Sequence, residues 1–209
     1  MVLRLEPENA KAHANIGLIL YHTGQTDKAL AHLKVAVRID PANAYARNNL
    51  GGVLEGQGDF KGAAKCYSEA LGMRPGYKNA YVNLSRILRR AGDPALTVRC
   101  YREVLRSDPE NAGAHMNLAI ALPRLKTISD AIKGFETALD LEPRLTAQAA
   151  YGIARAHARQ ANVDLAVKSL KRGVAAGFQD WDRLAADPDL ENIRKTVYYR
   201  EMIARKGEN

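Results

Sequence analysis

The chain has 209 residues, of which 46% are hydrophobic, 26% charged and 6% aromatic. A chain of this length and apolar content can bury a sizeable core, which argues against a wholly disordered protein. Aromatic residues, glycine and proline are too few for a β-sandwich of many short strands, and the frequent Ala and Leu favour helices. No stretch reaches the roughly 18 consecutive apolar residues of a membrane span, so membrane insertion is not expected.

Charge and cysteine content indicate the kind of partner and the cellular compartment to expect. Lys and Arg number 31 against 23 Asp and Glu, a net charge of +8 that favours acidic partners and keeps nucleic acid possible. Cys66 and Cys100 cannot build a multi-bridge framework, and no zinc motif accompanies them. The segment from Met1 to Pro7 lacks the apolar core of a signal peptide. We therefore expect an intracellular, cytoplasmic protein with reduced thiols, and an organelle if a targeting segment precedes Met1.

A period of 34 residues organises the chain. It aligns three sets of residues: Pro41, Pro75, Pro109 and Pro143; Asn15, Asn49, Asn83 and Asn117; and Ala29, Ala63, Thr97 and Ala131. Agreement at several positions with one fixed period indicates a tandem array of equal units. If the two cysteines occupy equivalent places in neighbouring units, their helices lie about 8–10 Å apart, which is beyond disulfide reach.

Each unit is predicted to contain two helices. In the second unit, Leu50, Gly51 and Leu54 share one helix face. Asp59 follows a glycine and is a candidate N-cap for the next helix, which Pro75 ends. Small residues such as Gly51 allow paired helices to approach closely. Neither helix has enough apolar surface to be stable alone, so neighbouring units must share a continuous core.

These aligned residues resemble the tetratricopeptide repeat (TPR) family. The resemblance implies an all-α fold, a right-handed α-solenoid of tandem helix-turn-helix repeats with a C-terminal capping helix segment. The predicted divisions are residues 1–9 as the remnant of a preceding repeat, full repeats at 10–43, 44–77, 78–111 and 112–145, a divergent repeat at 146–177, and capping helices at 178–209.

Several positions carry specific expectations. Pro123 should shorten or kink the first helix of the fourth repeat, and Thr97 places a hydroxyl where the other repeats have Ala. Phe178 and Trp181 are expected to seal the core at the C-terminal end. A repeat remnant at the N-terminus leaves an apolar edge there, so we expect the chain to be part of a longer array or to pack on a partner at that end.

The resemblance also implies a binding groove. Positions 2, 6, 9 and 13 of each first helix lie opposite its buried stripe, and in the family they line the concave surface. Four of the predicted groove residues form an asparagine row resembling the ladder in the TPR superhelix of O-GlcNAc transferase: Asn15, Asn49, Asn83 and Asn117. An amide carries both a donor and an acceptor and can pair with any peptide backbone; a packing role is the alternative. Five arginines make the C-terminal half of the predicted groove basic: Arg86, Arg90, Arg124, Arg155 and Arg159.

The sequence predicts a binding protein and not an enzyme. It lacks a phosphate-binding loop after a strand, the GxSxG motif and the HExxH motif, and no cofactor or metal is expected. We expect a non-catalytic scaffold that holds an extended, acidic peptide within a larger complex or longer protein. Two alternatives stay open: a substrate-binding TPR arm of a larger enzyme such as a glycosyltransferase, and an RNA-binding helical repeat. Few aromatic residues on the groove positions count against RNA.

Overall fold

The structure, a computed structural model, describes residues 8–125 and 127–204. It divides into two compact units, the first ending at Pro109 and the second beginning at Glu110. The predicted repeat remnant lies outside the described residues except for Glu8 and Asn9, and so do the last five residues of the predicted capping segment.

Unit 1 consists of three helical hairpins. Its helices are α1 (Ala10–His22), α2 (Thr26–Ile39), α3 (Ala44–Gly56), α4 (Phe60–Met73), α5 (Lys78–Ala91) and α6 (Pro94–Ser107). The odd-numbered helices are the first helices of their hairpins and the even-numbered ones the second. Gly58, in the turn between α3 and α4, has a φ of 81°, a left-handed conformation that glycine adopts without a Cβ penalty.

Unit 2 contains two further hairpins and a closing segment. Its helices are α7 (Ala112–Ala121), α8 (Ile128–Leu141), α9 (Thr146–Arg159), α10 (Val163–Ala175), α11 (Trp181–Ala186) and α12 (Val197–Ala204). Three short 3₁₀ segments join them, at Leu122–Leu125, Pro143–Leu145 and Pro188–Ile193. The described residues contain no strand, and the all-α solenoid class predicted from the repeats is confirmed.

Polar caps start many of the helices. The side chain of Asp59 accepts a hydrogen bond from the backbone of Gly62, and that of Asp93 does the same for Leu96, with Pro94 in the first turn of α6. The cap predicted at Asp59 is confirmed, and Asp93 caps α6 in the same way, since each carboxylate satisfies a backbone N–H that has no partner within the helix. Asparagines cap three first helices in the same manner, at Asn9, Asn43 and Asn111.

The core of unit 1 depends on small residues facing large ones. A Cβ at Gly51 would lie 2.7 Å from the Tyr67 ring, and a Cβ at Gly17 would lie 2.6 Å from Leu33. Ala63, a small residue of α4 in the same hairpin as Gly51, is fully buried. Since no real Cβ tolerates such distances, these helices approach to a separation that only glycine permits.

The C-terminal segment closes the core of unit 2. Phe178 stacks on Tyr151 with ring centroids 4.5 Å apart, and Trp181 packs against the same cluster. Leu184, Leu190 and Ile193 are fully buried there. The predicted sealing role of the two aromatic residues is confirmed. The C-terminal segment does not follow the repeat sequence, yet its apolar side chains cover the core of unit 2.

The two predicted irregularities have local effects. α7 ends at Ala121 after 10 residues and continues as the 3₁₀ segment that contains Pro123, whereas the other first helices have 13 or 14 residues. Thr97 is half-buried, and its hydroxyl donates to the backbone oxygen of Asp93 at 2.9 Å. The proline shortens its helix as expected, and the threonine is accommodated by a bond within α6.

Both cysteines are buried free thiols, as predicted. Burial is the main cause that raises the pKa of Cys66 to about 11 and also raises the pKa of Cys100. Thiols with raised pKa values are poor nucleophiles at neutral pH.

The close approach at Gly51 gives a direct test. Gly51→Ala forces the Tyr67 ring to move, so we expect the free energy of unfolding to fall by about 1–3 kcal/mol in urea titrations followed by circular dichroism. Gly52→Ala is the matched control, because its Cβ would meet only the Tyr67 hydroxyl at 3.8 Å. We expect that change to be neutral or to stabilise by up to about 1 kcal/mol, as alanine is the better helix former. Equal effects of the two changes would contradict the packing argument.

Candidate functional site

The first helices of unit 1 present a mixed polar and apolar surface, which we call the first-helix face. It consists of the predicted groove positions with three neighbouring residues: Lys11, Asn15, Leu18, Ile19, His22, Tyr45, Asn48, Asn49, Gly52, Gly56, Asn79, Val82, Asn83, Arg86 and Arg90. Ile19, Tyr45 and Val82 are exposed large apolar side chains of this face. Among the described residues of unit 1, Met73 is the other large apolar side chain in that exposed class.

The asparagines of unit 1 differ in their surroundings. Asn15 is exposed. Asn49 is half-buried, and its Nδ2 is covered without a hydrogen-bond partner among the described residues. Asn83 donates from Nδ2 to Oδ1 of Asn48 at 3.2 Å, which joins α5 to α3. The predicted row is therefore not a series of equivalent free amides.

Glu55, near the end of α3, is the centre of a partly buried ion-pair network. Arg86 donates to both of its carboxylate oxygens, with Nη2 2.8 Å from Oε2. The Tyr67 hydroxyl donates to Oε2 at 3.0 Å, and Arg90 donates from Nη1 to Oε1 at 3.3 Å. The Glu55 side chain is only 9% exposed, so this carboxylate has exchanged water for four protein donors.

These contacts keep Glu55 ionised. Burial raises the pKa of its carboxyl, but the hydrogen bonds from Arg86 and Tyr67 and the charges of Arg86 and Arg90 outweigh burial and lower the pKa overall. The hydrogen bond to Glu55 in turn raises the pKa of Arg86. Burial and the bond to Glu55 raise the pKa of the Tyr67 phenol, so it remains a donor.

Arg90 is held less completely than Arg86. Its side chain is 55% exposed against 40% for Arg86. Its guanidinium lies 4.9 Å above the centroid of the Phe60 ring, a cation–π contact that restrains its position. The guanidinium of Arg90 is thus held on one side by Phe60, while more than half of the side chain is exposed to solvent.

The predicted arginines of unit 2 contact the capping segment. Arg155 donates from Nη2 to Oδ2 of Asp189 at 2.6 Å and forms an ion pair from Nε to Asp187 at 2.8 Å. Arg159 lies farther from Asp189, with Nη1 3.8 Å from Oδ1. Tyr151 donates to the buried Asp187. The sequence led us to expect that Arg155 and Arg159 contact an acidic guest. In the structure they contact two carboxylates of the chain itself, Asp187 and Asp189.

The two remaining predicted residues lie on α7 and the 3₁₀ segment after it. Asn117 is half-buried and Arg124 is exposed.

Sequence reasoning missed Glu55 and the role of Asp189. Glu55 occupies a position that holds Tyr21, Arg89 and Pro123 in the other full repeats, so the period provides no signal for it. Asp189 follows Arg155 by 34 residues, one full period. That spacing was an available signal that the cap contacts the preceding first helix as another repeat would.

The described residues give no sign of metal chemistry or of a membrane span. They contain no group of three or more His, Cys, Asp or Glu side chains placed to hold a metal ion. None of their helices has the length and apolar content needed to cross a membrane. His13 and His32 lie with their Nδ1 atoms 3.0 Å apart, and burial, followed by the charge of His13, lowers the pKa of His32.

The tandem hairpins of the two units are those of a helical-repeat protein. Residues 17–58 match the pattern described as TPR repeat, and residues 40–78, 48–96, 82–143 and 128–180 match the tetratricopeptide repeat. These matches extend over well more than half of the chain. The chain therefore belongs to the tetratricopeptide repeat family.

Known proteins with similar sequence or structure agree with this assignment. YrrB, described as a TPR protein with an unusual peptide-binding site, superposes with a TM-score of 0.64 at 19% identity, covering 88% of this chain and 95% of that one. MamA from Desulfovibrio magneticus RS-1 gives 0.54 at 20% identity, covering 85% and 97%. Pseudomonas aeruginosa pilF gives 0.57 at 21% identity, covering 95% and 89%. At these identities the likeness shows the fold alone.

One curated relative is similar in sequence. This chloroplastic protein of Arabidopsis thaliana is 26% identical over 82 residues, which are 38% of this chain and 24% of that protein. The matched region thus spans about a quarter of the length of that relative.

The Glu55 network predicts a specific pH dependence. Because the folded-state pKa is below the ordinary value of 4.5, ionised Glu55 stabilises the fold above that value. The contribution is lost as the pH falls through the lowered pKa. Urea titrations between about pH 7 and about pH 3 should show a smaller loss of stability for Glu55→Gln than for the wild type. Parallel curves for the two proteins would contradict the network.

The capping segment predicts unequal roles for two arginines. Arg155→Gln leaves Asp187 without its cation, so we expect the free energy of unfolding of unit 2 to fall by about 1–3 kcal/mol, as followed by the fluorescence of Trp181. Arg159→Gln, which removes only the longer contact, should cost less than about 1 kcal/mol. A larger loss for Arg159→Gln would show that the ion pairs are assigned to the wrong arginine.

Proposed function

We propose that this protein is a non-catalytic scaffold that binds an extended segment of another protein on the first-helix face of unit 1. The observation that carries the proposal is the exposure of Ile19, Tyr45 and Val82 on that face, next to amide and guanidinium groups. Exposed apolar side chains on successive first helices provide area that a bound segment of another protein can bury.

The face offers both parts of peptide recognition. Val82 and Ile19 can bury apolar side chains of a guest, which contributes affinity without strict sequence preference. The exposed amides of Asn15 and Asn79 can donate to and accept from a peptide backbone. An extended chain leaves its backbone groups free for such bonds.

The charge of the face favours an acidic guest. Arg86 and Arg90 carry two positive charges, and Glu55 neutralises one of them. One positive charge of this pair therefore remains, and the chain as a whole has a net charge of +8. Complementary charge increases the association rate and the selectivity for acidic segments more than it increases affinity.

The family assignment supports this proposal. TPR domains bind proteins and peptides, and YrrB is described as having a peptide-binding site. We propose by the same reasoning that this chain acts within a larger complex or a longer protein, with protein partners.

A pair of valine substitutions tests the location of the site. Peptides selected from a random dodecapeptide library against the full chain would be measured by fluorescence anisotropy. Val82→Ser should weaken their binding by about 5-fold, because it removes apolar contact area of roughly 1 kcal/mol. Val197→Ser on α12 is the control, since Val197 is 63% exposed and Val82 is 61% exposed.

The control separates a local effect from a general one. Unchanged binding of all selected peptides to Val82→Ser would contradict this location. Equal weakening by both changes would contradict it as well.

A further inference from the structure

Two arginine pairs with the same spacing occur on first helices. Arg86 and Arg90 lie one helical turn apart on α5 of unit 1, and Arg155 and Arg159 do so on α9 of unit 2. Residues four apart lie on the same face of a helix. Each pair contacts carboxylates of its own unit, so the two can be compared as local arrangements.

The unit 2 pair has two carboxylates. Asp187 and Asp189 both contact Arg155, and Asp189 also approaches Arg159. Two guanidinium groups and two carboxylates leave no net charge in this group of four. The capping segment therefore shows what fully complements such a pair: two carboxylates carried by a short acidic stretch.

The unit 1 pair has one carboxylate. Glu55 is bound by both terminal nitrogens of Arg86, which satisfies that guanidinium in a bidentate manner. Arg90 reaches the same carboxylate with one nitrogen at 3.3 Å. A guanidinium has five N–H donors, and within the described residues Arg90 donates to Glu55. Among the described residues, Arg86 and Arg90 have no second carboxylate like that of the unit 2 arrangement.

We propose that Arg90 binds one carboxylate of an acidic guest, and that Glu55, by occupying Arg86, limits the arginine pair to one guest carboxylate. This inference rests on the proposed function and names the specificity-determining pair within the same face. Arg90 is suited to the role because the Phe60 ring restrains its guanidinium while more than half of the side chain is exposed. A planar carboxylate matches the open edge of such a guanidinium, as Asp189 does at Arg155.

Glu55 is then an internal competitor of the guest. With Glu55 ionised, a second carboxylate at Arg86 would be repelled by the negative charge of Glu55, which disfavours a guest there. Removing the charge of Glu55 without removing its volume would leave both arginines able to bind carboxylates. An increase in affinity for acidic peptides is a result that structural damage alone would not produce.

Two matched peptides measure the effect. Fluorescein-labelled (Gly-Leu-Asp)4 and its uncharged counterpart (Gly-Leu-Asn)4 would be titrated with the full chain by anisotropy, at about 0.05 M and about 0.15 M salt. The quantity of interest is the ratio of the two dissociation constants, which isolates the contribution of charge. The uncharged peptide reports the apolar and backbone contacts of the proposed function.

Three variants give different expectations. Arg90→Gln should reduce the preference for the acidic peptide by about 3- to 10-fold and leave the uncharged peptide unaffected. Arg89→Gln, an exposed neighbour on the same helix, removes the same charge and should reduce the preference by less than about 2-fold. Glu55→Gln should increase the preference by about 3- to 10-fold. Circular dichroism would establish that each variant is folded. If Glu55→Gln does not fold, Arg90→Gln still tests the inference, because it alters only a largely exposed side chain.

The outcomes separate this inference from the proposal on which it rests. If the uncharged peptide binds and Val82→Ser weakens it, but Arg90→Gln and Arg89→Gln act equally, the inference is overturned and the binding face stands. A Glu55→Gln protein that is folded and does not prefer the acidic peptide more strongly overturns the role of Glu55. If neither peptide binds the wild type, both the inference and the proposed peptide-binding face are overturned.

Discussion

The absence of a Cβ at Gly51 is the constraint on which the candidate site depends. Because α3 has only backbone at this point, the Tyr67 ring lies against it, 2.7 Å from where a Cβ would be. This position brings the Tyr67 hydroxyl to 3.0 Å from Glu55. The carboxylate so placed binds Arg86 and, more weakly, Arg90. A packing requirement in the core of one hairpin therefore positions one of the donors that hold Glu55 beside the two arginines.

Arginines on a repeat surface are not by themselves a binding site for acidic ligands. In each unit the chain provides its own carboxylates, and what matters for a guest is the charge that remains. At Arg155 the internal partners Asp187 and Asp189 complete the arrangement. At Arg90 the internal carboxylate does not complete the arrangement. Arg90 contacts Glu55 at 3.3 Å, and its side chain remains more than half exposed. These pairs also join neighbouring elements of the array, Glu55 of α3 to Arg86 of α5 and Arg155 of α9 to the capping segment.

The C-terminal segment contacts α9 as a further repeat would, although it lacks the repeat sequence. It places Asp189 one period after Arg155, and Asn192 donates to the backbone oxygen of Ala158, again 34 residues earlier. Leu190 and Ile193 fill the core beneath these contacts. The segment thus makes polar and apolar contacts to α9 at the spacing of a further first helix, although its own backbone is a 3₁₀ turn.

The sequence by itself determined the features that depend on nearby residues. The 34-residue period is read directly from the sequence. The caps at Asp59 and Asp93 and the shortening at Pro123 follow from local backbone chemistry, which operates over a few residues. The buried state of Phe178 also follows, because an apolar side chain at the end of an array has few alternatives. Only the tertiary structure decided how charged and amide groups pair, since Glu55 and Arg86 are 31 residues apart and Asn48 and Asn83 are 35 apart. Side chains at equivalent repeat positions have different neighbours, so Asn15 is exposed while Asn83 is engaged with Asn48, and periodicity carries no information on that difference.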